Sequence, residues 1–312
     1  MAQKDFYLHF LDKIKKPLRQ NMLLSDYSSF RIGGKADYFF EATSLTELKS
    51  SILLAREYSF PYYLIGGGYN LLFDDEGFRG LIIRNKVKGI RMRGREEIEV
   101  LSGTFLRQLL QFLIERELAG LEFLAGIPGT AGGAIFGNAG AFNQCIGNFL
   151  EEAFLLDEKG KETRIQKDQF EFSYRQSSLR RKHHILLKAV FKLQKGDKKK
   201  IEKVIEENLR IRRSNLPPED TACAGSYFKN PLLPEGTKAA AGSLLEQVGA
   251  KTLSVGRAAV YPGHANFIIN LDRASAKDIL SLAQELKERV KEKFGVELEE
   301  EVIFLPASSS MP

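Results

Sequence analysis

A chain of 312 residues with 43% hydrophobic and 28% charged side chains is long enough to bury two or three cores and too apolar to remain disordered. Its 46 Lys and Arg against 40 Asp and Glu leave a formal charge of +6, a mild bias toward anionic ligands. Two distant cysteines, Cys145 and Cys223, exclude a disulfide framework and a zinc site, and no apolar run approaches the ~18 residues of a membrane span.

The leader, Met1 to Phe30, mixes Lys, Asp, Gln and Ser with short apolar runs, unlike a secretory signal, so a reducing cytoplasm is the expected location. Asp37 to Ala42 reads as a strand, Leu45 to Tyr58 as an amphipathic helix, and Tyr62 to Ile65 as a strand running into Gly66-Gly67-Gly68, a βαβ-like opening. Further strands are expected at Leu81 to Arg84 and Ile98 to Ser102, then a helix from Phe105 to Glu117. Strands follow at Glu152 to Asp157 and Ile185 to Gln194. The turn Lys195-Gly196-Asp197 opens a charged helix, Lys199 to Arg213, whose basic residues alternate with Glu202, Glu206 and Glu207 as on a solvated face. Leu216-Pro217-Pro218 closes it and punctuates the chain. Beyond it come a small-residue helix at Ala239 to Val248, strands near Ala258 and Phe267, a helix from Ala276 to Phe294, a strand from Leu298 to Leu305, and a Ser308-Ser309-Ser310 tail. Domains are expected at 1–90, 91–196 and 197–312.

Residues 126 to 140 hold six glycines in fifteen positions. Glycine admits positive φ and lacks a Cβ, so successive backbone N–H groups can converge on an anion such as a dinucleotide pyrophosphate. Gly66-Gly67-Gly68-Tyr69-Asn70 offers the same chemistry at a strand end. Neither loop spells the Rossmann or P-loop fingerprint. One glycine cluster by itself is most simply a tight turn, but two in one chain favour a ligand cradle. Other polar groups gather in Ser173-Tyr174-Arg175, in Gly225 to Pro231 and in Glu299-Glu300-Glu301. The serines lack a nucleophile elbow, and the four histidines, His9, His183, His184 and His264, show no spacing that would make one a base. Residue patterns alone reach a two-domain α/β protein with anion-cradling loops.

Taken together, Ser29-Phe30-Arg31-Ile32-Gly33-Gly34, Gly66 to Leu72, Gly126 to Ala141, Ser173-Tyr174-Arg175, Gly225 to Pro231, His264-Ala265-Asn266-Phe267 and Leu298 to Val302 resemble the UDP-N-acetylenolpyruvoylglucosamine reductase family, from about residue 22 to 305. The resemblance implies an α+β fold: a two-subdomain FAD-binding unit of the vanillyl-alcohol-oxidase type, then a C-terminal α/β substrate-binding domain. It implies noncovalent FAD, NADPH as co-substrate and an enolpyruvyl UDP-sugar as substrate, with no nucleic acid, membrane or obligate protein partner. By the same resemblance Arg31, Gly66, Gly67, Gly68, Tyr69, Asn70, Leu71, Gly126, Pro128, Gly129, Thr130, Gly132, Gly133, Asn138 and Ala139 bind FAD. Arg175, Ser226 and Glu301 are catalytic, and Tyr174, Lys229, Asn230 and His264 meet the substrate. Two features depart from the common pattern: Tyr69 stands where the family commonly has Ser, and the short stretch between Arg175 and Ile185 resembles the class lacking a tyrosine-bearing substrate loop. An oxidase of the same fold would share the glycine loops but not Ser226 and Glu301. A nucleic-acid module would need aromatic residues along the helix at 199 to 213, and it has none.

Overall fold

The computed structural model describes residues 2–180, 184–233 and 236–308; His183, Ser309 and Ser310 lie outside them. Helix α1 (Ala2–Ile14) covers the first core: it stacks Phe6 on Phe60 with ring centroids 4.3 Å apart and sets Phe10 edge-on to Phe40. These rings close one side of a sheet ordered Arg19–Leu23, Lys35–Ala42, Phe78–Asn85, Tyr62–Ile65. Helix α2 (Leu45–Glu57) joins the second strand to the fourth. Its N-cap Ser44 accepts from Glu47 N, and it buries Leu48, Ile52, Leu54 and Ala55. The expected βαβ unit is present, but Phe78–Asn85 inserts between its two strands, parallel to both.

A second sheet, antiparallel throughout, runs Glu162–Gln166, Leu150–Leu156, Ile185–Lys192, Glu97–Leu101, Ile90–Met92. Helix α3 (Leu106–Arg116) buries Leu106, Leu109, Leu110 and Leu113 in the same core as this sheet, as the 3.6-residue spacing requires. The strand expected to reach Gln194 ends at Lys192; Gln194–Lys195 pairs separately with Leu118–Ala119. After the short helix α4 (Ala131–Phe136), the charged helix α5 (Lys198–Asn215) starts at Asp197, whose side chain accepts from Lys200 N. Its Ile205 and Leu209 pack on the second core, and Asn208 Nδ2 donates to Glu122 O at 3.0 Å. By its contacts α5 goes with the unit before it, so we place the junction at Leu216-Pro217-Pro218 rather than at 197.

The third core joins α6 (Ala241–Gln247), α7 (Ala276–Phe294) and the sheet Ser254–Val255, Ala258–Val260, Ile268–Asn270. A Ser275/Asp278 capping box starts α7, and Gly295, at φ +67°, ends it. The last strand is shorter than expected, Ile303–Leu305, and pairs in parallel with Leu71–Phe73 in the first unit. Glu299 and Glu301 bond across to another loop instead: Lys229 N donates to Glu299 O and Tyr227 O accepts from Glu301 N, both at 2.8 Å. This crossing sets Glu301 beside the glycine loop that precedes Leu71, where Asn70 Nδ2 donates to its carbonyl oxygen. Among the described residues no helix is long and apolar enough to cross a membrane.

Candidate active site

The two glycine loops meet. A Cβ on Gly66 would stand 2.6 Å from Thr130 Oγ1, and one on Gly68, whose φ is +73°, would stand 1.8 Å from the Tyr27 carbonyl oxygen. On the opposite loop, a Cβ on Gly132 would meet Ser102 O at 2.9 Å, and Gly129 takes φ +136°. Thr130 N-caps α4 by accepting from Gly133 N, and Gly68 O accepts from Ser29 N, which ties the Ser29-Phe30-Arg31 motif to the first loop. The approach is possible only because side chains are missing, which is what a cradle for a long, polyanionic cofactor needs. Gly68→Ala is therefore expected to cost about 2–3 kcal/mol or more, from left-handed strain and a backbone collision that nothing soft relieves. Thermal melting and flavin content of the purified variant would check it.

The second loop also fixes the Ser173-Tyr174-Arg175 segment. Asn138 is buried; its Nδ2 donates to Ser173 O at 2.8 Å while its Oδ1 accepts from Gly147 N at 3.1 Å. Arg175, at φ +57°, donates through a terminal nitrogen to Gly140 O at 3.0 Å and sets its Nε 2.7 Å from Glu301 Oε1. Glu301 is pinned from the first loop, because Asn70 Nδ2 donates to Glu301 O and Asn70 O accepts from Ile303 N. Burial pushes the Glu301 carboxyl above the usual carboxylate range, against the pull of Arg175, Arg180 and Lys229. Ser226 follows Gly225 (φ +83°) and precedes Tyr227, whose N–H donates to Asn266 O at 2.8 Å and whose carbonyl takes the Glu301 N–H. The Asn266 side chain completes the clamp, accepting from Phe228 N at 2.9 Å and donating to Phe228 O at 2.8 Å. Arg175, Ser226 and Glu301, from three separate segments, thus share one frame.

Comparison with known proteins decides the lineage. Residues 36–166 match an FAD binding domain, and residues 217–305 match the C-terminal domain of UDP-N-acetylenolpyruvoylglucosamine reductase. The chain is 40% identical over 289 residues to the reductase of that name from Clostridium novyi (strain NT), covering 92% of each chain. It is 38% identical over 304 residues to that from Clostridium botulinum (strain Hall), covering 96% of each. The chain belongs to the UDP-N-acetylenolpyruvoylglucosamine reductase family. The crystal structure of the Thermus caldophilus member superposes with a TM-score of 0.77 at 33% identity, over 93% of this chain and all of that one. FAD is the cofactor of this family, and both glycine loops lie inside the FAD-binding match.

Around this frame the other family-matched positions divide. Tyr174 faces the centre: its hydroxyl accepts from Asn230 N at 3.3 Å and the ammonium of Lys238 stands 3.0 Å over its ring. Lys229 is buried and its ammonium pairs with Glu299, while Asn230 Oδ1 accepts from Ala241 N at the start of α6. His264 Nδ1 accepts from Asn266 N at 3.2 Å, its ring lies edge-on to Phe267, and burial lowers its basicity. The described contacts make it a support of the Asn266 clamp. Arg31 takes φ +56° and donates to Asp220 O at 2.8 Å, beside Ala222 and Asn270. Tyr69 lays its ring against Gly67, and Leu71 opens the strand paired with Ile303. Pro128 leads into Gly129, and Ala139 O accepts from Ile146 N at 2.9 Å.

Residue spacing carries no sign of Asn266 as a clamp, nor of three further cations. Arg212, in the last turn of α5, runs its side chain past Gly126, and burial followed by the like charge of Arg175 lowers its basicity. Lys238 and Arg180 also lie within electrostatic reach of Glu301. Cations outnumber carboxylates here, the electrostatics of a site for anions.

Proposed function

We propose that this chain reduces the enolpyruvyl ether of UDP-N-acetylglucosamine to UDP-N-acetylmuramate, with NADPH as reductant, in peptidoglycan precursor synthesis in the cytoplasm. We further propose Arg175, Ser226 and Glu301 as the residues at the reacting carbons. The observation that carries the reading is the joint frame of these three: the Arg175–Glu301 pair at 2.7 Å and the Glu301 N–H donated to the carbonyl next after Ser226.

FAD, once reduced by NADPH, supplies a hydride. When that hydride reaches the terminal carbon of the double bond, negative charge develops at the neighbouring carbon and its carboxylate. The guanidinium of Arg175, preorganised by Gly140 O and Glu301, stabilises that charge without moving. The Ser226 hydroxyl gives its proton to the same carbon, completing the saturated ether; so basic an intermediate needs only a weak acid. Glu301 holds Arg175 in place, and burial of the carboxyl keeps bulk water from weakening the pair. The rival reading, an oxidase of the same fold, gains nothing from the family match over residues 217–305.

Anaerobic spectroscopy tests the whole sequence of steps. The purified protein is expected to show a flavin spectrum that NADPH bleaches and the enolpyruvyl UDP-sugar restores. A flavin that bleaches but is not restored would move the substrate to another compound, and a chain that cannot be reconstituted with FAD would overturn the reading.

A further inference from the structure

Arg180 ends the single helical turn Ser178–Arg180 and is a poorly satisfied charge. Its Nε is buried with no hydrogen-bond partner. Its guanidinium carbon stands 5.1 Å over the Phe136 ring, and a terminal nitrogen lies 4.0 Å from where a Cβ on Gly137 would stand. Among the described residues no carboxylate forms an ion pair with it: Glu301, within electrostatic reach, gives its near oxygen to Arg175, and Glu299 pairs with Lys229. Arginine does not escape burial by losing its proton, and Arg180 is half-buried with its Nε closed off from water and no anion against it, a cost that one aromatic face offsets only in part. The fold tolerates the cost at a site whose walls are informative. Phe136 and Gly137 belong to the second glycine loop, and Tyr63, the third group within electrostatic reach, lies on the strand that runs into the first. Both loops fall within the FAD-binding match.

We infer that Arg180 is a cofactor-binding residue whose guanidinium takes negative charge on bound FAD. That charge has two sources, the diphosphate and the ring edge that becomes anionic on reduction, and they have different signatures. A cation beside the diphosphate holds oxidised and reduced FAD alike. A cation beside the ring holds the reduced form more tightly and so raises the potential.

The inference rests on FAD binding in this cleft, and the test separates the two. Arg180→Met and Arg180→Lys are compared with wild type for the FAD dissociation constant and for the two-electron reduction potential by dye equilibration. The diphosphate arm predicts at least ~10-fold weaker FAD binding by Arg180→Met with little change in potential. The ring arm predicts a potential lower by about 30 mV or more, equivalent to a tenfold change in the relative affinity for the two redox forms. Either result, with most of the loss recovered in Arg180→Lys, supports the inference. Unchanged affinity and potential in folded Arg180→Met overturn it, and do so even if reoxidation by the UDP-sugar slows, since Arg180 would then serve the substrate. If Arg180→Met does not fold, Arg180→Gln takes its place on the same two readouts. Failure of the wild-type chain to bind FAD would instead bring down the cofactor reading itself.

Discussion

Ser226→Ala is expected to accept hydride from NADPH at the wild-type rate yet to reoxidise with the enolpyruvyl UDP-sugar about 10²–10⁴-fold more slowly. The split follows from where the hydroxyl stands. The loop is shaped by its backbone, through Gly225 at φ +83°, Tyr227 N on Asn266 O, and the two Asn266 side-chain bonds to Phe228. No hydrogen bond among the described residues depends on Ser226 Oγ, so alanine leaves the clamp and Glu301 where they are. What disappears is the proposed proton donor, needed only after hydride has reached the substrate. Stopped-flow absorbance of the two half-reactions reads the two steps separately. Normal rates in both would remove Ser226 from the mechanism, and loss of both would point to a damaged fold.

Local order is legible in the sequence because it is locally encoded. Tyr62–Ile65 running into three glycines, α7 between Ser275 and Gly295, and α3 with its apolar stripe all announce themselves through period, cap or turn chemistry. The segment from Leu298 to Leu305 shows the limit. It reads as one strand, but only Ile303–Leu305 pairs regularly, since Glu299 and Glu301 bond to the backbone of Lys229 and Tyr227 in another loop. Likewise the charge pattern of α5 displays its solvated face but not the core beneath Ile205 and Leu209, so its composition does not tell which unit it packs on. In the site, family motifs point to Arg175, Ser226 and Glu301 one by one. Their pairing across the fold, the double hold of the Asn266 side chain on the Phe228 backbone and the orphaned Arg180 Nε are products of tertiary packing, which no spacing encodes.

Arg175→Ala is expected to retain FAD while lowering kcat/KM for the UDP-sugar by about 10²–10³-fold, the usual loss when a preorganised partner of a developing anion is removed. Among the described residues the one hydrogen bond between Arg175 and the glycine loops is to the Gly140 carbonyl, so FAD binding is expected not to depend on the guanidinium. Apoprotein on purification would instead make Arg175 a folding residue. The variant has a second signature in its stability. Glu301 already has its carboxyl raised by burial, with Arg175 the foremost influence holding it down; taking that partner away raises it further. A group whose folded value lies above its unfolded one contributes stability that is complete below the unfolded value and is lost as pH rises through the folded value. Arg175→Ala should therefore fall further behind wild type in stability as pH rises above the ordinary carboxylate range, by at most ~1.4 kcal/mol for each pH unit, read from melting at a series of pH values. Arg175→Ala,Glu301→Gln, which removes the titrating carboxyl as well, should lose the pH-dependent part of the deficit. A deficit in the single variant that is flat across the series would mean that Glu301 does not depend on Arg175 for its charge, and the ion pair would lose its place in the mechanism.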